Sequence, residues 1–98
     1  FTTFKEGEIM LYCLICQDKE NAIETRMQNR EDHLKYVAET NVVKYAGPFL
    51  SDDDTMIGSL IVIDVKNKDE ANKWSEKDPY KKAGVFRKVE IFKFKHLI

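Results

Sequence analysis

The chain has 98 residues, 43% of them apolar and 34% charged, with 16 Lys and Arg against 17 Asp and Glu. One domain, 1–98, fits that length, and a formal charge of −1 excludes both the high net charge of disordered chains and the cationic surplus of a nucleic-acid binder. The longest apolar stretch, Ile9 to Cys16, is far shorter than the roughly 20 residues of a membrane span.

In chain order, Ile9–Cys16 (IMLYCLIC) is a dense apolar run that predicts a strand buried on both faces. From Asn21 to Thr40 the period changes: Ile23, Met27, Leu34, Val37 and Ala38 recur at helical intervals, and Asn41 is a stop signal. Val42–Leu50 reads as a second strand containing Gly47-Pro48. The polar turn Ser51–Asp54 then leads to a third strand, Ile57–Val65. Asp69 is the expected N-cap of a second helix carrying Ala71 and Trp74, which Pro79 should end at Lys77 or Asp78. Val85–His96 supplies the last strand.

The order β-α-β-β-α-β predicts an α+β, ferredoxin-like fold: one antiparallel sheet with two helices on one face. Alternation places apolar side chains on both sides of the strands. Leu11, Cys13 and Ile15 oppose Tyr12, Leu14 and Cys16, Ile61 and Ile63 oppose Leu60 and Val62, and Val89 and Ile91 oppose Phe92 and Phe94. Two helices cover only one face, so the expectation is a homodimer formed by the other, a barrel-like pair.

Cys13 and Cys16 match a C-x-x-C spacing, but residues three apart on a strand point to opposite faces. Both are expected to be small core residues, and nothing here requires an oxidising compartment. Asp52-Asp53-Asp54 lacks the alternating ligands, central Gly and terminal Glu of a calcium loop, and reads as a solvated hairpin turn. No metal and no cofactor is expected.

On the first helix, Arg30 falls within the apolar arc and His33 at its edge. An Arg there needs a carboxylate, a carbonyl or an anionic ligand, or else it snorkels to the helix edge while His33 stays half exposed. Asp78-Pro79-Tyr80 places a carboxylate at an element end, where a rigid scaffold can aim it, or where it simply caps a turn. Gly47-Pro48 and Gly58-Ser59 mark either a pocket edge or a strand bend. Trp74, Phe86, Phe92 and Phe94 are core or interface residues.

Taken together, Tyr12, Arg30-x-x-His33, Gly47-Pro48, Gly58-Ser59, Asp78-Pro79-Tyr80 and Ala83-Gly84-Val85 resemble the YciI-like (YCII-related) family, in its order and at about its spacing from Ile9 to Phe94. The resemblance implies ferredoxin-like chains paired as dimeric α/β barrels, similar in architecture to muconolactone isomerases. It also implies that His33 and Asp78 are the family's candidate active-site pair. A few relatives act on small aromatic-derived compounds, dehydrochlorination included.

The expected function is therefore proton transfer on a small anionic or aromatic-derived molecule, of isomerase or lyase type. Asp78 would orient His33, Arg30 would hold a carboxylate or phenolate, and Ser59 and Tyr80 would orient it by hydrogen bonds. Tyr12, Gly47 and Pro48 complete the expected substrate-binding set. The alternatives are a binding or sensor domain using the same pocket without turnover, and a purely structural dimerisation module. The expected setting is the cytoplasm or an organelle matrix, with no nucleic-acid or membrane partner. Phe1 in place of an initiator Met suggests a processed or trimmed chain.

Overall fold

The apolar run at the N-terminal end becomes β1 (Ile9–Asp18), two residues longer than its apolar part, and lies inside the sheet. The structure, a computed structural model, describes residues 9–98, with Ile9 through its backbone alone; Phe1 lies outside the described residues. Seven elements follow: α1 (Ile23–Gln28), α2 (Arg30–Thr40), β2 (Val43–Leu50), β3 (Met56–Ile63), α3 (Lys68–Lys77), α4 (Pro79–Lys82) and β4 (Phe86–His96). The strands form one antiparallel sheet in the order β2-β3-β1-β4, the ferredoxin-like topology expected from the alternation of periods. None of the described helices is long and apolar enough to cross a membrane.

Cross-strand register sorts the side chains into two faces. On the helical face, rows run Pro48–Ser59–Cys16–Val89, Ala46–Ile61–Leu14–Ile91 and Val43–Ile63–Tyr12–Lys93. Tyr12, Leu14, Cys16, Ile61 and Ile63 from these rows pack with Ala71, Trp74 and Tyr80 of the helices. Burying a large aliphatic side chain such as Leu14 or Ile63 stabilises the fold by roughly 1.5–3 kcal/mol. α2 is tied to α3 where the Tyr36 hydroxyl donates to the Trp74 carbonyl at 2.8 Å and the Trp74 indole N–H donates to Thr40 Oγ1 at 3.0 Å.

The opposite face has no helix. Its central row is Tyr45–Val62–Cys13–Phe92, and Tyr45, Phe49, Phe92 and Phe94 are 37–52% exposed there. Cys13 is on this face and buried Cys16 on the other, both as free thiols.

Local chemistry sets the element ends. Asn41 closes α2 in the left-handed region at φ 54°, as a stop signal should. Pro48 is tolerated because β2 is an edge strand. The Asp triplet forms the hairpin turn between β2 and β3, with Asp54 N–H donating to the Ser51 carbonyl at 2.9 Å. Hydrogen bonds from Ser51 and Thr55 hold the Asp53 carboxyl below its usual range. The N-cap of α3 is Asn67, two residues before the expected Asp69. Asn67 Oδ1 accepts from Glu70 N–H at 2.9 Å, and the Glu70 carboxylate reaches back to Lys66 N–H at 3.0 Å. That reciprocal pair satisfies two donors, so the cap falls where Glu stands three residues on. α3 does end at Lys77, ahead of Pro79.

Candidate functional site

The site begins with a break. The expected continuous helix over 21–40 is two helices, because Asn29 leaves helical geometry at φ −109°, ψ 8° and its side-chain amide donates to the Thr25 carbonyl at 2.8 Å. Short amide side chains compete with the helix ladder in this way. The inward face also matches the apolar arc only in part, with Val37 packed against the core. Ile23, Met27 and Leu34 are 40–53% exposed, while Ala22, Arg26 and His33 are buried.

Arg30 is accordingly exposed, and the arginine inside the structure is Arg26, one helical turn earlier. Arg26 Nε donates to Asp18 Oδ2 at 3.1 Å and Nη2 to Oδ1 at 3.4 Å, with the two side chains only 5% and 4% exposed. Nη2 also donates to the Gly58 carbonyl at 2.9 Å and to Ser59 Oγ at 2.5 Å. The guanidinium carbon lies 4.8 Å from the centre of the Tyr80 ring, a cation–π distance. One side chain thus ties the end of β1, α1, β3 and α4 together. Gly58 is what allows β3 to pass so close, since a Cβ there would lie 2.4 Å from the Cys16 carbonyl oxygen.

His33, on the first turn of α2, reaches the other end of the cluster. Its Nδ1 lies 2.7 Å from Asp78 Oδ1, and both residues are buried. Asp78 is extended because Pro79 follows it, and the same Oδ1 accepts Tyr80 N–H at 3.0 Å, capping α4. One carboxylate oxygen thus both caps α4 and meets the His33 ring. The His33 imidazole lies flat on the Tyr80 ring, with centroids 3.9 Å apart and planes 7° apart. Phe86 meets the same tyrosine edge-on at 6.0 Å.

Beside this cluster is a cavity of about 280 Å³ between α1–α2 and the β2–β3 hairpin. Arg26, Arg30, His33, Ser59 and Tyr80 supply its polar side, and Leu34, Ala46, Gly47, Pro48, Met56 and Ile61 the rest. Of the residues singled out in the sequence, His33, Arg30, Ser59, Tyr80, Gly47 and Pro48 all line this cavity, with Asp78 directly behind His33. Tyr12 does not; it stands opposite Ile63 in the core, two rows and about 13 Å along the sheet from Ser59. Arg26 and Asp18 escaped the sequence reading. The available signal was that Arg26 stands seven residues before His33, two turns along the same helical face.

Burial pushes the Tyr80 hydroxyl above its ordinary range, with Arg26 and Arg30 pulling against it. Cys16 is pushed up to about 12, first by burial and then by the charges of Asp78 and Asp18, so it is a protonated thiol and no nucleophile. Among the described residues no group of three or more His, Cys, Asp or Glu side chains is placed to hold a metal ion.

These features define a ferredoxin-like α+β domain with a buried His–Asp pair at the wall of a small helical-side cavity. The chain belongs to the YCII-related domain family, whose profile matches residues 10–95. An uncharacterised protein of Haemophilus influenzae is 34% identical over 95 residues, covering 88% of this chain and 97% of its own. Protein YciI of Escherichia coli is 30% identical over the same spans. Among solved structures, 5-chloro-2-hydroxyhydroquinone dehydrochlorinase from Burkholderia phenoliruptrix, in complex with 2,5-dihydroxybenzoquinone, matches with a TM-score of 0.79 at 28% identity, over 88% of this chain and 94% of that one. An antibiotic biosynthesis monooxygenase shares the fold alone, with a TM-score of 0.57 at 6% identity over 92% of this chain and all of that one.

Proposed function

We propose that this protein is a small-molecule enzyme in which His33, oriented by Asp78, moves protons on a small anionic or aromatic-derived compound held in the cavity. The observation that carries the reading is the 2.7 Å His33–Asp78 hydrogen bond at the cavity wall. A carboxylate at Nδ1 keeps that nitrogen as the donor, which leaves Nε2 to take or give a proton, and it stabilises the imidazolium once formed. Arg30 is the anchor for a carboxylate or phenolate, and Gly47-Pro48 shape the opposite wall.

The chemistry is of isomerase or lyase type. Similarity to a dehydrochlorinase supports an elimination: the base takes a proton, the freed electron pair becomes a new π bond, and chloride leaves with the C–Cl pair. The functional unit is a homodimer in which the open sheet faces pair, covering Tyr45, Phe49, Phe92 and Phe94.

The test is a thermal-shift screen of small carboxylates and of chlorinated and hydroxylated aromatics, followed by turnover assays on those that bind. His33→Ala should lower turnover about 10²–10⁴-fold and leave the fold intact. Full activity in that variant removes His33 from the mechanism. Tight binding with no product from any compound replaces the enzyme by a binding domain.

A further inference from the structure

Arg26 is neutralised as a charge by Asp18, but it remains a donor, and its Nη2 fills one lone pair of Ser59 Oγ at 2.5 Å. A serine hydroxyl has two lone pairs and one proton. With a guanidinium donating into the oxygen, the proton is directed away from Arg26, and the cavity that Ser59 lines is the space left for it. The adjoining guanidinium also polarises the O–H bond and strengthens it as a donor.

The second arginine differs in the way that matters. Arg30 lines the same cavity and makes no ion pair among the described residues. No carboxylate lines the cavity among those residues either, since Asp78 is behind His33 and Asp18 behind Arg26. The wall therefore offers an N–H fork from Arg30 and an O–H from Ser59, facing largely apolar side chains. At about 280 Å³ the space is at the lower end of small-molecule sites, of single-ring size.

We infer that Arg26 is the positioning residue that makes Ser59 a donor, so that the site takes a single-ring organic anion rich in hydrogen-bond acceptors, with one oxygen on Ser59 and the anionic charge on Arg30. This rests on the cavity being the binding site proposed above, and it names the ligand class and the polarity of that site. Arg26 acts on the ligand through Ser59, to which its Nη2 donates, while its Nε and Nη2 are held by Asp18 and the Gly58 carbonyl.

The experiment is calorimetric titration at neutral pH with two ring compounds: 2,5-dihydroxybenzoquinone, an acceptor-rich vinylogous acid that is anionic there, and neutral hydroquinone, whose oxygens carry protons. Wild-type protein should prefer the quinone. Ser59→Ala should weaken quinone binding roughly 10–100-fold, the range for a hydrogen bond to a charged group, and weaken hydroquinone binding less, by at most the roughly 2–10-fold of a neutral hydrogen bond. Because Arg26→Gln alone strands Asp18, it is made together with Asp18→Asn. That pair should lose the preference as Ser59→Ala does, and adding Ser59→Ala to it should cost little more.

General loosening of the site would weaken both compounds alike, which overturns the inference. So does a wild type that fails to bind the quinone at millimolar concentration or takes hydroquinone equally well, or a Ser59→Ala variant with unchanged affinity. Binding is read without turnover, so loss of the acid–base reading through an active His33→Ala variant leaves this result standing, and the reverse holds as well.

Discussion

Arg26 and Asp18 meet as a buried fork, Nε to Oδ2 at 3.1 Å and Nη2 to Oδ1 at 3.4 Å, although one stands on a six-residue helix and the other ends a strand. A buried pair of this kind adds little over well-packed apolar residues, but breaking it leaves a charge stranded. Arg26→Met is expected to cost about 3–5 kcal/mol in urea denaturation. Adding Asp18→Asn should recover a large part of that loss, since no unpaired charge then remains. Equal destabilisation with and without Asp18→Asn would show that the cost comes from packing.

Asp78 is expected to show two separable costs. Asp78→Ala removes the cap of α4, worth about 1 kcal/mol, and also leaves His33 Nδ1 buried without its partner, at about 1–3 kcal/mol more. Asp78→Asn keeps an acceptor for Tyr80 N–H and should lose less than half as much stability. Turnover, by contrast, should fall in both, because neither stabilises an imidazolium. Chemical denaturation beside an activity assay separates the two effects.

Stability should decline in alkali. The Cys16 thiol is held at about 12 against an ordinary 9.0 by burial, then by Asp78 and Asp18, and burial first holds Tyr36 at about 12 against 10.0. Above pH 9 the unfolded chain releases protons that the folded chain retains. The unfolded state then binds fewer protons, so unfolding becomes easier as pH rises toward 12. The urea midpoint should fall steadily from pH 9 to 11, and Cys16→Ala should flatten part of that fall. A midpoint that is level across this range would show that the buried thiol is not the linked group.

Phe92 stands in the central row of the open face, beside Cys13 and 52% exposed. Light scattering on a sizing column should show two chains per particle at micromolar concentration. Phe92→Glu should give a folded monomer, because a like charge would face itself across a two-fold pairing. A wild-type monomer at that concentration would remove the sheet-face pairing from the proposal.

The strands were legible because each is a short, dense apolar run, and the topology followed from their alternation with helical periods. His33 and Asp78 could be singled out from their positions, one on a helix and the other before a proline. Arg26 was missed despite its seven-residue spacing from His33, because helix reading equates the apolar side with the buried side. Here α1 and α2 lie over a cavity as well as over the sheet, so polar Arg26 and His33 turn inward while Ile23, Met27 and Leu34 are left outside. Asp18 was hidden for a related reason: β1 runs two residues past its apolar pattern, and those two carry the polar end of the strand. Tyr12 illustrates the opposite error, since a tyrosine in a motif reads as a ligand contact and this one packs in the core.

Pro48 has a consequence for how far association can go. An exposed strand edge invites another strand, and chains joined edge to edge can grow without limit. Pro48 withholds a backbone N–H on β2, at one edge of the sheet, while β4, at the other, carries Arg87, Lys88, Lys93 and Lys95. Growth by strand addition is disfavoured at both margins. Face-to-face pairing of the kind proposed would use the same patch on each copy and be used up once two have met, which would stop growth at two chains.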